Sequence, residues 1–108
     1  MRAVYICSPL SGNMKKNLEN VKEYCHCIIN QYDGKVIPIA PHLYFTQFLD
    51  DTNKVEREQG IQCGLALLNT CDELWVIGTR VSEGMAREIS AAAKLCKTIH
   101  HLLYMMSI

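Results

Sequence analysis

Four short apolar runs, separated by stretches of helical periodicity, constrain this chain more than any other feature. The first, Ala3 to Cys7 (AVYIC), is continuous, β-branched and aromatic, and it stops at Ser8-Pro9. A run of that kind suits a strand buried on both faces of a parallel sheet. Lys35 to Ile39 is a second run, halted at Ala40-Pro41-His42. Glu73 to Gly78 (ELWVIG) is a third, and Thr98 to Tyr104 closes the series. Between the first two, Asn13 is placed to cap a helix to about Tyr32, with Leu18, Val21, Cys25, Ile28 and Ile29 as its buried stripe. Thr52 to Asn69 reads as another helix, with Val55, Ile61, Leu65 and Leu68 on one side, and Gly60 and Gly64 on a ridge that admits a close neighbour. Ser82 caps a further helix through about Leu95, buried through Met85, Ile89, Ala92, Ala93 and Cys96. His42 to Asp51 is mixed aromatic and polar without a decisive period, and fits a lid or wall of one or two helical turns.

Strands alternating with helices in this way need crossover connections, and crossovers of one hand produce a parallel sheet covered on both sides. The expectation is an α/β fold: a three-layer flavodoxin-like, Rossmann-like parallel sheet with helices on both faces. A chain of 108 residues fits one such domain, 1–108. Ligands of these sheets bind outside the carboxyl ends of the strands, near the switch in strand order. That rule gathers three loops: Ser8 to Asn13, Ala40 to His42, and Gly78 to Gly84.

Charge then narrows the partners. Eleven basic side chains balance eleven acidic ones, so the chain carries no general attraction to a nucleic acid polymer or a membrane surface. The amino terminus passes after two residues into a strand-like run, with no signal-peptide pattern or spanning helix, and a cytoplasmic protein is expected. The six cysteines fall mostly inside apolar periodic segments and read as small core residues in a reducing compartment. Cys25 and Cys27 form a lone C-x-C with no second pair at metal-site spacing, so neither a structural metal nor a cofactor is expected.

Glu88 is the candidate centre. Its helical neighbours at three and four residues are Gly84, Met85, Ala91 and Ala92, none of which can pair with it. It therefore borders the buried stripe beside residues small enough to leave space, near the start of a helix that opens from a strand end. The loop SPLSGN supplies Ser8, Leu10, Gly12 and a helix amino end suited to an anion or a polar ribose, yet it matches neither a dinucleotide fingerprint nor a Walker loop. His42 follows Pro41 as a wall residue or a base. Asp50, Asp51, Glu56, Arg57 and Glu58 cluster at a helix start, where capping is the default reading; Arg57 faces the site only if the lid folds inward.

Taken together, Val4-Tyr5-Ile6-Cys7-Ser8-Pro9, Ala40-Pro41-His42-Leu43, Cys71 to Gly78 and Ser82-Glu83-Gly84-Met85-Ala86-Arg87-Glu88-Ile89 resemble the nucleoside 2-deoxyribosyltransferase-like superfamily, in particular its short branch. The S-x-G-M-x-x-E-I run after an apolar strand is the most specific part. The resemblance implies an N-glycosidic site in which Glu88 attacks the anomeric carbon and Tyr5 helps to position it. It also implies that Ser8, Gly12, Ser82 and Gly84 line the sugar and any 5′-phosphate, while the segment from His42 to Phe48 holds the base. With Leu10, His42, Arg57, Gly78 and Met85 these form the expected substrate-binding set. Ser82 stands where the well-studied transferases carry an aspartate, and Glu56, Glu58 and Gln62 compete as the second acidic partner.

Two functions follow as expectations. One is cleavage or transfer of an N-glycosidic bond on a small (deoxy)nucleoside or nucleoside 5′-monophosphate; the other is a non-catalytic module that binds a nucleotide derivative. A homo-oligomer, dimer or larger, is expected, with the apolar tail HHLLYMMSI able to join its interface.

Overall fold

The computed structural model describes residues 1–102. Eight elements follow in order: β1 (Arg2–Cys7), α1 (Met14–Gln31), β2 (Val36–Ile39), α2 (Pro41–Phe45), α3 (Lys54–Thr70), β3 (Glu73–Ile77), α4 (Glu83–Lys94) and β4 (Thr98–Leu102). The strands form one parallel four-stranded sheet in the order β2-β1-β3-β4. Chain order thus runs one way from β1 to β2 and the other way from β2 through β3 to β4. With crossovers of one hand, that reversal sends α1 to one face and α3 and α4 to the other. The flavodoxin-like three-layer expectation is met.

Two cores result. Val4 and Ile6 of β1, Val36, Trp75 and Ile77 pack with Val21 and Ile28 of α1. The alternate side chains Tyr5 and Cys7, with Leu74 and Val76, pack with Leu68 of α3 and Met85 and Ala92 of α4. β1 is buried from Val4 to Cys7 because both layers press on it. Asn13 caps α1 through Lys16 N–H, Asn53 caps α3 through Val55 and Glu56 N–H, and Ser82 caps α4 through Met85 N–H.

Several expectations change in detail. The unassigned stretch after Ala40 contains a short helix, α2, begun by Pro41 at a position where its missing N–H costs nothing. Ile29, Val55 and Ala93 are exposed because each lies past the edge of the stripe its helix buries, and Cys96 is exposed because α4 has already ended and it sits in the turn beyond, with φ 57°. Only Cys7 and Cys71 of the cysteines are buried; Cys25 and Cys27 are half-buried, Cys63 and Cys96 are exposed, and no disulfide joins them among the described residues. The expected continuation of the last strand to Tyr104, and most of the apolar tail, lie outside the described residues. Among the described residues no helix is long and apolar enough to cross a membrane.

Candidate functional site

The switch in strand order falls between β1 and β3, and the carboxyl ends of these strands open onto a cleft enclosing about 720 Å³, its open mouth included. Glu88 lies at its floor. Met85, Glu88 and Ala92 are the buried residues of α4, spaced three and four apart, so Glu88 projects inward with the apolar stripe and is only 9% exposed. Its partner comes from the sheet: the Tyr5 hydroxyl, at the centre of β1, donates a hydrogen bond to Glu88 Oε2. The buried Cys7 thiol of the same strand donates to the Met85 carbonyl oxygen at 3.7 Å.

Burial dominates the electrostatics. It pushes the Glu88 carboxyl up to about 7, against the opposing pull of the hydrogen bond from Tyr5. Burial, with the Glu88 charge next, also pushes the Tyr5 hydroxyl and the Cys7 thiol far above their ordinary ranges, so both keep their protons. The floor of the cleft therefore holds one carboxyl group able to ionise near neutrality, held by the neutral Tyr5 hydroxyl.

The walls come from three further segments. Ser8 lines the cleft and is 2% exposed, and its buried hydroxyl has no hydrogen-bond partner among the described residues. A buried hydroxyl left unpaired costs about 1–3 kcal/mol, a debt that a polar ligand group would cancel. His42 Nε2 donates to the Ser8 carbonyl at 3.0 Å, which fixes the neutral tautomer with its proton on that nitrogen. Desolvation lowers its pKa, against the pull of Ser8 and Asp51 in the other direction. Phe45 and Leu49 form an apolar wall, with Tyr44 and Phe48 meeting Phe45 edge to face at 5.1 and 5.9 Å between ring centres.

Of the residues singled out in the sequence, Glu88, Tyr5, Ser8, Leu10, His42, Arg57, Ser82, Gly84 and Met85 all line this cleft. Gly12 and Gly78 do not. Both have positive φ, 102° and 101°, and so shape the two loops from outside the lining. Among the competing acids Glu56 lines the cleft, with Oε1 accepting the Asp50 N–H at 2.9 Å. Glu58 instead takes a two-pronged ion pair from Arg87 and a bond from Gln62, which removes both Glu58 and Gln62 from the site. Asp51, Thr46, Leu49, Gly60 and Ile61 also line it, although the sequence marked them only as parts of the lid, the charged cluster or a helix face. No three His, Cys, Asp or Glu side chains among the described residues converge as metal ligands.

Fold and site together define a doubly wound α/β protein with an enclosed carboxylate at the switch point of its sheet. The chain belongs to the family described as a domain of unknown function (DUF7768), whose model matches residues 2–102. No curated protein matches it. Among solved structures it is similar to a 2-deoxyribosyltransferase from the psychrotolerant bacterium Bacillus psychrosaccharolyticus, described as a biocatalyst for the synthesis of antiviral and antitumoral nucleosides. The two superpose with a TM-score of 0.64 at 16% identity, over 92% of this chain and 70% of that one. That likeness shows a shared fold.

Proposed function

We propose that this protein cleaves or transfers the N-glycosidic bond of a small (deoxy)nucleoside or its 5′-monophosphate, with Glu88 as nucleophile. The observation that carries the reading is the buried Glu88 carboxyl at the cleft floor, held by the Tyr5 hydroxyl. An ionised carboxylate there stabilises the positive charge that develops at an anomeric carbon. The bond from that carbon to the base nitrogen breaks, and its electron pair leaves with the base, which takes up a proton. A bond from Glu88 to the carbon forms, and water or a second base then displaces the ester. Asp51 and Glu56, the other carboxyl groups of the lining, are the candidates to protonate the departing base. The apolar wall around Phe45 suits a base, and the unpaired Ser8 hydroxyl suits the sugar or its phosphate. The resemblance to a nucleoside-processing fold agrees with this substrate class.

One observation favours a second reading. Glu56 is tied to the Asp50 N–H, and a pocket without an acid aimed at the leaving base would retain a nucleotide derivative unaltered. A panel of deoxynucleosides, nucleosides and their monophosphates, assayed by chromatography for free base, separates the two. Base release abolished by Glu88→Gln is the expected result. Release that survives the substitution removes Glu88 as nucleophile, and tight retention of intact nucleotide without turnover establishes the binding module.

A further inference from the structure

We propose that Gly64 is a positioning residue of the Tyr5–Glu88 pair: the bare backbone of α3 at this point leaves the room in which the two side chains meet. As a statement about catalysis this rests on the glycosyl reading above; as a statement about the pair it does not. A β-carbon at Gly64 would stand 2.8 Å from the Tyr5 hydroxyl oxygen, 3.9 Å from Pro41 Cβ and 4.0 Å from Glu88 Oε2. Only the first is a clash. Tyr5 is fully buried, so its ring is hemmed in by the packing of the sheet against α3 and α4 and has no free space to swing into. Relief requires the hydroxyl to leave Glu88 or α3 to lift from the sheet.

Gly60, one turn earlier on the same helix, supplies the contrast. A β-carbon there would meet Leu49 Cδ1 at 3.5 Å, an ordinary contact. Alanine is the better helix former, so a glycine with no steric duty gains stability when replaced. Gly60→Ala should follow that rule in its melting temperature, and Gly64→Ala should break it. If the hydroxyl is driven off, the carboxylate loses a donor that favours its ionised form, while Gly64 itself stands outside the cleft lining.

The test is a double-mutant cycle on the whole chain: parent, Gly64→Ala, Tyr5→Phe and the double variant. With Tyr5 present, Gly64→Ala should lower the melting temperature by about 5–15 °C, the range for overpacking in a domain of this size. In the Tyr5→Phe background the oxygen that the new carbon meets is gone, and the loss should shrink to less than about a third or reverse. Base release should fall at least about tenfold in kcat, with KM moved less than about threefold and the acid limb of the pH profile displaced upward. An equal loss of stability in both backgrounds overturns the proposal, as does an undiminished melting temperature for Gly64→Ala. Should Gly64→Ala fail to fold, restoration by Tyr5→Phe supports the proposal and failure in both backgrounds overturns it. A parent protein that releases no base removes the glycosyl reading alone; the four melting temperatures still decide the role of Gly64.

Discussion

Glu88 illustrates how a single buried group ties stability to pH. Burial pushes its carboxyl from 4.5 up to about 7, so the folded chain holds the proton more tightly than the unfolded chain. Below the unfolded value both states carry it, and the group's contribution is fully present. As pH rises the unfolded chain releases it first, stability declines, and the loss is complete once the folded group ionises near 7. At ~1.4 kcal/mol per pH unit the span is on the order of 3 kcal/mol. Glu88→Gln has no proton to lose, so urea denaturation should show its stability relative to the parent growing by that order between about pH 4 and about pH 8. A difference independent of pH would mean that the carboxyl ionises as freely folded as unfolded. The same group governs rate, because only the ionised form attacks: base release should climb with pH through about 7. Tyr5→Phe removes the hydrogen bond that lowers the Glu88 value, and it should shift that limb to higher pH.

At the scale of elements, α4 is aimed by its first turn. Ser82 accepts the Met85 N–H at 3.2 Å while the Met85 thioether receives the Ser82 N–H, a capping box with sulfur where a carboxylate or amide usually stands. Glu88 follows six residues later on the face this cap orients. Ser82→Ala should cost about 1 kcal/mol in chemical denaturation, and Ser82→Asp, which caps equally well, should recover it. A null effect of Ser82→Ala would show α4 held by its packing alone. The cap was legible in the sequence, as were the four strands, the three long helices and Glu88, because each rests on local chemistry: a periodic stripe, a turn pair, a hydroxyl before an apolar face. Gly60 and Gly64 stood out as a ridge for a close neighbour, but their unequal roles did not, since these depend on what β1 places opposite α3. The segment from His42 was expected as a lid or wall, but which of its side chains, Phe45, Leu49 and Asp51 among them, would reach the cleft was hidden for a similar reason. They arrive through a segment without a period, and their place depends on where β2 delivers the chain. Val55 and Ile29 misled because an apolar side chain at the margin of a stripe has the same spacing as one inside it.

For the molecule as a whole, the cleft is assembled from β1, α2, α3, α4 and the loops between them, so whatever fills it must tie together elements from both halves of the chain. The sheet holds β1 and β3 rigidly through paired backbones and two cores, whereas the segment from Pro41 to Asp51 is fastened chiefly by turns and side-chain bonds such as His42 to Ser8. A ligand that binds only the folded state stabilises it by mass action, by about 2.7 kcal/mol at a hundredfold excess over its Kd, or roughly 10–20 °C for a domain of this size. The Glu88→Gln chain keeps the side chain's shape while losing its charge and its chemistry. Deoxynucleosides or their monophosphates should therefore still raise its melting temperature without being consumed, and hydrogen exchange should slow between Pro41 and Gly60 more than in the sheet. A monophosphate that shifts the melt further than its nucleoside would assign Ser8 and Arg57 to the phosphate. A melt unmoved by every compound of the panel, in the parent and the variant alike, would empty the cleft of the ligand class proposed for it.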